Sequence, residues 1–392
     1  MSRLEYRLAS VLLRVIGALS GLMPIKSQRV VLATARVATL EGNLAFLHAA
    51  MVARHPEREY VLLLEPYDYG LRGKLRYLLR LARGMYHLRT SGLFIVDNAY
   101  LPIHVAPHRP GTTVVQVWHA VAALKRFGAD TLGGLDEVED AFLHRHYDYV
   151  VCTAERSRGP WSTALRTPIE RVLPLGTPRT DLFADQAALD ATAARVRAAY
   201  PLMAGRRVIL YAPTFRGRGV AKRAAGDLDA ARLRAGLAPE DLLVLKTHPN
   251  LDPALTDTTG FDLVIDPATE LNDLLTVTDI LITDYSSSIF EYALLRRPLV
   301  LLVPDLATYE ADPGMYLDFR TEMIGTQVTD TAGVLRVIAE GDFDLAAYED
   351  FIDRHLGAAD GRASERFVTR FLDEEAVGEG NSGTLPRDVR HE

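Results

Sequence analysis

A single cysteine, Cys152, among 392 residues removes any intrachain disulfide and any multi-cysteine zinc site. A reducing, cytosolic setting is then the simpler expectation, with Cys152 packed as a small hydrophobe. Positive charge is not in excess either: 44 Lys and Arg against 51 Asp and Glu leave a net charge of −7. That balance argues against a general nucleic-acid coat. No apolar run is long enough to span a membrane, because Arg14 interrupts Leu8 to Ile25 and Pro24 nearly closes it. Neither a short repeat nor a metal-ligand spacing emerges; His144 and His146, two apart, read as packed or solvated residues.

What is present is apolar material in short alternating blocks. Hydrophobic residues make up 48% of the chain, enough for two or three cores without covalent staples. In the first half, Arg29 to Ala33, Tyr60 to Leu64, Leu93 to Val96, Thr113 to Trp118 and Tyr149 to Thr153 read as strands, with a helix over Gly42 to Arg54. A second series follows: Val208 to Tyr211, Leu242 to Lys246, Leu263 to Ile265, Ile280 to Thr283 and Leu299 to Val303, with a crossover helix at Ser287 to Leu295. Parallel strands need such crossovers, so the pattern predicts two α/β domains facing a central cleft. The boundaries are drawn at 1–180, 181–376 and a frayed tail over 377–392, with helices at Asp185 to Tyr200, Asp342 to His355 and Ala363 to Leu372 and a basic loop at Arg216 to Gly226.

The segment Leu71 to Thr90 interleaves Arg72, Lys74, Arg76, Arg80, Arg83 and Arg89 with apolar residues. As a helix it suits an anionic membrane surface, a solvated face or an acidic partner, although Gly73 and Gly84 weaken a continuous helix.

Four clusters sit at strand ends. Asp284, Ser286 and Ser287 lie between the strand ILIT and a helix, where backbone amides and hydroxyls suit an oxyanion; simple helix capping is the plainer alternative. Glu291 lies on the same helix, placed either for a ribose hydroxyl or for solvent. Thr214 and Arg216 follow another strand and offer a hydroxyl and a bidentate phosphate contact, or a loop salt bridge. Lys246 and His248 end the strand LLVLK, and His119 with Lys125 follows TVVQV. Each histidine is either a proton carrier or a packed residue, and Lys125 either orients an anion or stays solvated.

Taken in order, VWHAVAALKRFG, GTPRTD, YAPTFRG, LKTHP and TDYSSSIFEYALLRRPLVLLVPD resemble the CDP-glycerol glycerophosphotransferase family of teichoic-acid and related glycopolymer enzymes, over roughly Gly92 to Phe319. The resemblance implies a GT-B-like pair of Rossmann-like domains. It also implies transfer of glycerol phosphate from CDP-glycerol to a hydroxyl of a lipid-linked envelope polymer, with CMP released and no cofactor or metal required. CDP-ribitol is the close alternative donor, and a GT-B nucleotide-sugar glycosyltransferase or epimerase the alternative class. On this resemblance His119 and His248 are the catalytic pair. Lys125, Arg179, Thr214, Arg216, Lys246, Asp284, Ser286, Ser287 and Glu291 bind substrate, with Glu291 on the ribose. Peripheral association with the cytoplasmic face of a membrane follows as an expectation. Two departures stand out: one additional residue between His119 and Lys125, and Pro313-Gly314-Met315-Tyr316 in place of the family's arginine-glycine-phenylalanine-tyrosine segment.

Overall fold

A computed structural model describes residues 3–64, 71–131, 143–214, 228–247, 257–311 and 314–373. Twelve strands form two separate parallel sheets of six. The first comprises β1 (Lys26–Thr34), β2 (Glu59–Leu64), β3 (Ser91–Val96), β4 (Thr113–Gln116), β5 (Tyr149–Val151) and β6 (Val172–Leu173), in the order β2-β1-β3-β4-β5-β6. The second comprises β7 (Arg207–Tyr211), β8 (Asp241–Leu245), β9 (Leu263–Val264), β10 (Ile280–Thr283), β11 (Leu299–Leu302) and β12 (Thr326–Val328), in the order β12-β11-β10-β7-β8-β9. Each expected strand is present. The edge strands β6 and β12 were not expected, since two or three residues carry no readable period.

The strands read as unbroken apolar runs because both faces are covered. Along β1, Val31 and Ala33 join one core with Phe94 and Val96, while Val30 and Leu32 join another with Leu93 and Ile95 on the opposite face. The second sheet divides in the same way, with Leu210 and Val244 on one side and Ile209 and Leu243 on the other.

The end of the described chain packs differently from the expected division. Residues 363–373 were assigned with the second unit, yet Phe367, Val368, Phe371 and Leu372 complete the core on one face of the first sheet. Arg58 donates to the Leu372 carbonyl at 3.2 Å, and Asp373 pairs with Arg54 and His55. Conversely Val121, Ala122 and Leu124 leave the first sheet and join the second unit's core. The basic loop 216–226 and the tail 377–392 both lie wholly outside the described residues.

Leu71–Thr90 is one continuous helix of 20 residues despite its two glycines. Gly84 has a packing reason: the Tyr100 hydroxyl occupies the space a Cβ would take. Against this helix lies an 18-residue helix, Arg3–Ser20, whose inner face contributes Ala9 and Leu13 to the core with Leu81, Met85 and Leu88. Its outer face shows Leu8, Val11, Leu12, Val15 and Leu19, each between 43% and 63% exposed. Among the described residues no helix is long and apolar enough to cross a membrane.

Candidate active site

In open parallel sheets, ligands bind beyond the carboxyl ends of the strands where the strand order reverses. That reversal lies between β7 and β10 in the second sheet and between β1 and β3 in the first. A cleft of about 500 Å³ is lined from both sides at these points. Its first wall carries Arg36 beyond β1, Asp97 beyond β3, and His119 beyond β4, together with Arg179. Its second wall carries Thr214 beyond β7, Lys246 beyond β8, and Ser286 to Ser288 with Glu291 beyond β10.

His119 is held by a turn under strain. Trp118 has a left-handed φ of 46°, unusual for a bulky residue, and its backbone N–H donates to Gln116 Oε1 at 2.8 Å. The Trp118 ring stacks on Phe127 with 4.9 Å between centroids. Asn43, buried at the start of the Gly42–Arg54 helix, donates from Nδ2 to the Trp118 carbonyl at 2.7 Å and to that of Val117 at 3.4 Å. The next residue is thereby aimed at the cleft. His119 Nδ1 lies 3.3 Å from the Asp97 carbonyl, which only accepts, so Nδ1 carries the proton and Nε2 the lone pair. Burial, and then the charges of Arg36 and Arg179, push the imidazole pKa down to about 3. His119 is therefore a neutral acceptor throughout the neutral range.

Asp97 sits beneath it, buried, with Oδ2 3.8 Å from Arg36 Nη1 and no hydrogen-bond partner at Oδ1. Desolvation raises its carboxyl pKa.

Arg179 and Glu291 form an ion pair across the cleft, with Glu291 only 1% exposed. The pair leaves Arg179 Nε and Glu291 Oε2 without partners. Two groups expected to meet substrate thus meet each other. Lys246 donates to the carbonyls of Asp266 and Pro267 at 3.0 and 2.7 Å, and burial lowers its pKa to about 8 despite the opposing charges of Asp266 and Glu270. The Ser286 and Ser288 hydroxyls lie 2.8 Å apart, while the Ser287 side chain makes no cap hydrogen bond to the Ser288–Ala293 helix.

Two expected substrate contacts stand elsewhere. Asp284 is buried behind the wall rather than on it, accepting from Thr214 N at 2.9 Å and from Thr214 Oγ1 at 3.0 Å. It orients Thr214 instead of touching the cleft. Lys125 is likewise off the wall: its Nζ donates to the Tyr309 hydroxyl at 2.8 Å and lies 5.0 Å from the centre of that ring. Lys125 also pairs antiparallel with Met315, flanked by Arg126 N to Gly314 O and Tyr316 N to Leu124 O, both 3.0 Å. The two segments that depart from the family pattern therefore lie against each other. Arg216 and His248 fall outside the described residues. Arg36, Asn43 and Asp97 were missed by motif reading. The signal for Arg36 and Asp97 was their place just beyond apolar runs; Asn43 had no comparable mark. Among the described residues, no three His, Cys, Asp or Glu side chains converge to hold a metal.

The family pattern described as CDP-Glycerol:Poly(glycerophosphate) glycerophosphotransferase matches residues 17–373. The teichoic acid ribitol-phosphate primase of Bacillus spizizenii is 33% identical over 90% of this chain and 94% of its own length. The teichoic acid glycerol-phosphate primase of Bacillus subtilis is 26% identical over 74% of this chain and 76% of its own. In three dimensions, a variant of the wall teichoic acid polymerase TagF soaked with CDPG superposes with a TM-score of 0.76 at 20% identity, covering 97% of this chain and 100% of the other. That likeness establishes the GT-B-like double Rossmann fold. The match over 17–373, reinforced by one-third identity along nearly the whole primase, shows that this chain belongs to the CDP-glycerol:poly(glycerophosphate) glycerophosphotransferase family.

Proposed function

We propose that the protein transfers glycerol phosphate from CDP-glycerol to a hydroxyl of a lipid-linked glycopolymer. The observation that carries this reading is the unprotonated Nε2 of His119 on one wall of a cleft whose other wall presents Thr214 and Ser286 to Ser288. In the transfer, Nε2 takes the proton of the acceptor hydroxyl. The freed oxygen pair forms a bond to the phosphorus bearing the glycerol. The bond from that phosphorus to the bridging oxygen breaks, and CMP leaves with its electron pair. Charge builds on the phosphoryl oxygens, where fixed donors and cations lower the barrier. The second-wall hydroxyls, Arg36, and Arg179 once released from Glu291 are placed to supply them. Glu291 Oε2, already without a partner, then accepts from the ribose. By resemblance, Arg216 and His248, which follow Thr214 and Thr247 closely in the chain, add phosphate contacts.

A second donor, CDP-ribitol, is favoured by the higher identity to the ribitol-phosphate primase, 33% against 26% for the glycerol-phosphate primase. Both donors present the same pyrophosphate and differ in the length of the polyol. Purified protein given a lipid-linked acceptor analogue and either donor is expected to release CMP and to add one glycerol-phosphate or ribitol-phosphate mass. Absence of both products with folded protein rules the reading out, and the added mass decides the donor.

The same reading places the protein on the cytoplasmic face of an anionic membrane through the Arg3–Ser20 helix. Its outer apolar face runs at helical spacing from Leu8 to Leu19, and Arg76 and Arg83 are exposed on the adjoining helix. Co-sedimentation with phosphatidylglycerol vesicles is expected, weaker with phosphatidylcholine, and reduced by Val11→Glu with Val15→Glu. Equal sedimentation of parent and variant would remove this helix from the role.

A further inference from the structure

Resting on that reading, we propose that Asn43 is the positioning residue that sets the distance between the base and the donor-binding arginine. Its carboxamide is 97% buried and reaches two loops at once. Nδ2 donates to the Trp118 carbonyl at 2.7 Å, on the peptide that carries His119. Oδ1 accepts from the Arg179 backbone N–H at 3.2 Å. Arg179 in turn reaches Glu291 on the opposite wall. One planar amide therefore ties together the loops that carry His119 and Arg179, with its donor edge toward the first and its acceptor edge toward the second.

Neither Trp118 nor Arg179 lies within a strand or an α-helix. Trp118 lies past the end of β4 with its φ at 46°, and Arg179 lies past β6 in a short 3-10 segment, Pro178–Ala184. A strained turn persists only when its surroundings over-determine it. Here Gln116 fixes the Trp118 N–H and Asn43 fixes its carbonyl. Without the carboxamide, the peptide plane before His119 loses the restraint on its carbonyl, and Nε2 moves out of hydrogen-bonding reach of the acceptor hydroxyl. Asn43 touches no reacting atom in this scheme and acts only through His119 and Arg179.

The requirement is chemically narrow. Asp in place of Asn keeps an acceptor for the Arg179 N–H but loses the donor to the two carbonyls and sets a carboxylate against them. Ala loses both.

A double-mutant cycle tests the assignment. Asn43→Ala and Asn43→Asp are each expected to lower kcat by roughly 100-fold, the scale of a misplacement of about 1 Å, while the calorimetric affinity for CDP-glycerol or CDP-ribitol changes by less than about threefold, below the tenfold step of 1.4 kcal/mol. In a His119→Ala background, either change is expected to lower the residual rate by clearly less than it lowers the parent's, because the part of its effect that passes through His119 is already lost. Additive losses, donor affinity falling in step with kcat, or parent-like turnover would each overturn the proposal. So would loss of the cooperative melt in both variants, which makes Asn43 a folding residue. Parent-like turnover of His119→Ala itself overturns the role of His119 as base, and this inference with it, whereas additivity beside an impaired His119→Ala overturns the inference alone.

Discussion

The two walls of the cleft are built on opposite principles. On the first, the groups are charged or titratable, and each is tied to protein: His119 to the Asp97 carbonyl, Asp97 to Arg36, Arg179 to Glu291. On the second, neutral hydroxyls at strand ends stand beside the carboxylate of Glu291, with Asp284 kept behind Thr214 and Lys246 turned onto two carbonyls. The difference separates two tasks. Moving a proton from an acceptor needs one basic atom in a fixed place, and a half-buried neutral imidazole supplies it. Holding a phosphate whose charge is redistributed needs several interchangeable donors, and hydroxyls beside a helix start supply those.

The sharpest way to break this contrast is to remove one group from each wall. His119→Ala should lower kcat by about 10²–10⁴-fold, the usual contribution of a positioned general base, with the fold intact by circular dichroism. Ser287→Ala, on the opposite wall, should cost one hydrogen bond to a charged phosphate, about 1.5–3 kcal/mol, or roughly 10- to 150-fold in kcat/KM. Equal losses at the two positions would mean that the walls do not divide the work.

A smaller effect sharpens the comparison through pH. Burial pushes His119 and His104 down to about 3 and His144 and His87 to about 4, all in the first unit. Below the ordinary value of 6.5 the unfolded chain binds protons at these positions and the folded chain does not. Stability should therefore fall as pH descends from about 6.5 toward 4. His108 works in the other direction: against its burial, Asp148 raises its pKa, adding stability that is present at low pH and lost as pH rises. A melting temperature unchanged between pH 7 and pH 4.5 would show that these imidazoles are not desolvated as the geometry implies.

Strand ends were the legible part of the site. Apolar runs of four to six residues located β1, β3, β4, β7, β8 and β10, and at each of these ends a polar residue within a few positions arrived at the cleft: Arg36, Asp97, His119, Thr214, Lys246 and Ser286. What sequence could not show was which polar neighbours face inward and which face back. Asp284 and Thr214 are both polar residues just beyond strands, yet one buttresses the other. Lys125 was misread for a related reason, since its partner Tyr309 is distant in the chain and joins it only when the two units meet. Asn43 had no period, motif or strand end to mark it; its role exists only in the distances to Trp118 and Arg179. The destination of residues 363–373 was equally hidden, because an amphipathic helix declares that it has an apolar face but not which sheet receives it.

That last placement also fixes an order of events during synthesis. As the ribosome releases the chain, β1, β3 and β4 emerge early, with Val30, Leu32, Ile95 and Val115 on a face that only Phe367 and Phe371 complete. Leu44, Leu47 and Met51 of the Gly42–Arg54 helix cover part of that face early, but the rest stays uncovered until nearly all of the described chain has been translated. A nascent chain stalled before residue 363 would leave in water the part of that apolar face that Phe367, Val368, Phe371 and Leu372 cover in the finished protein.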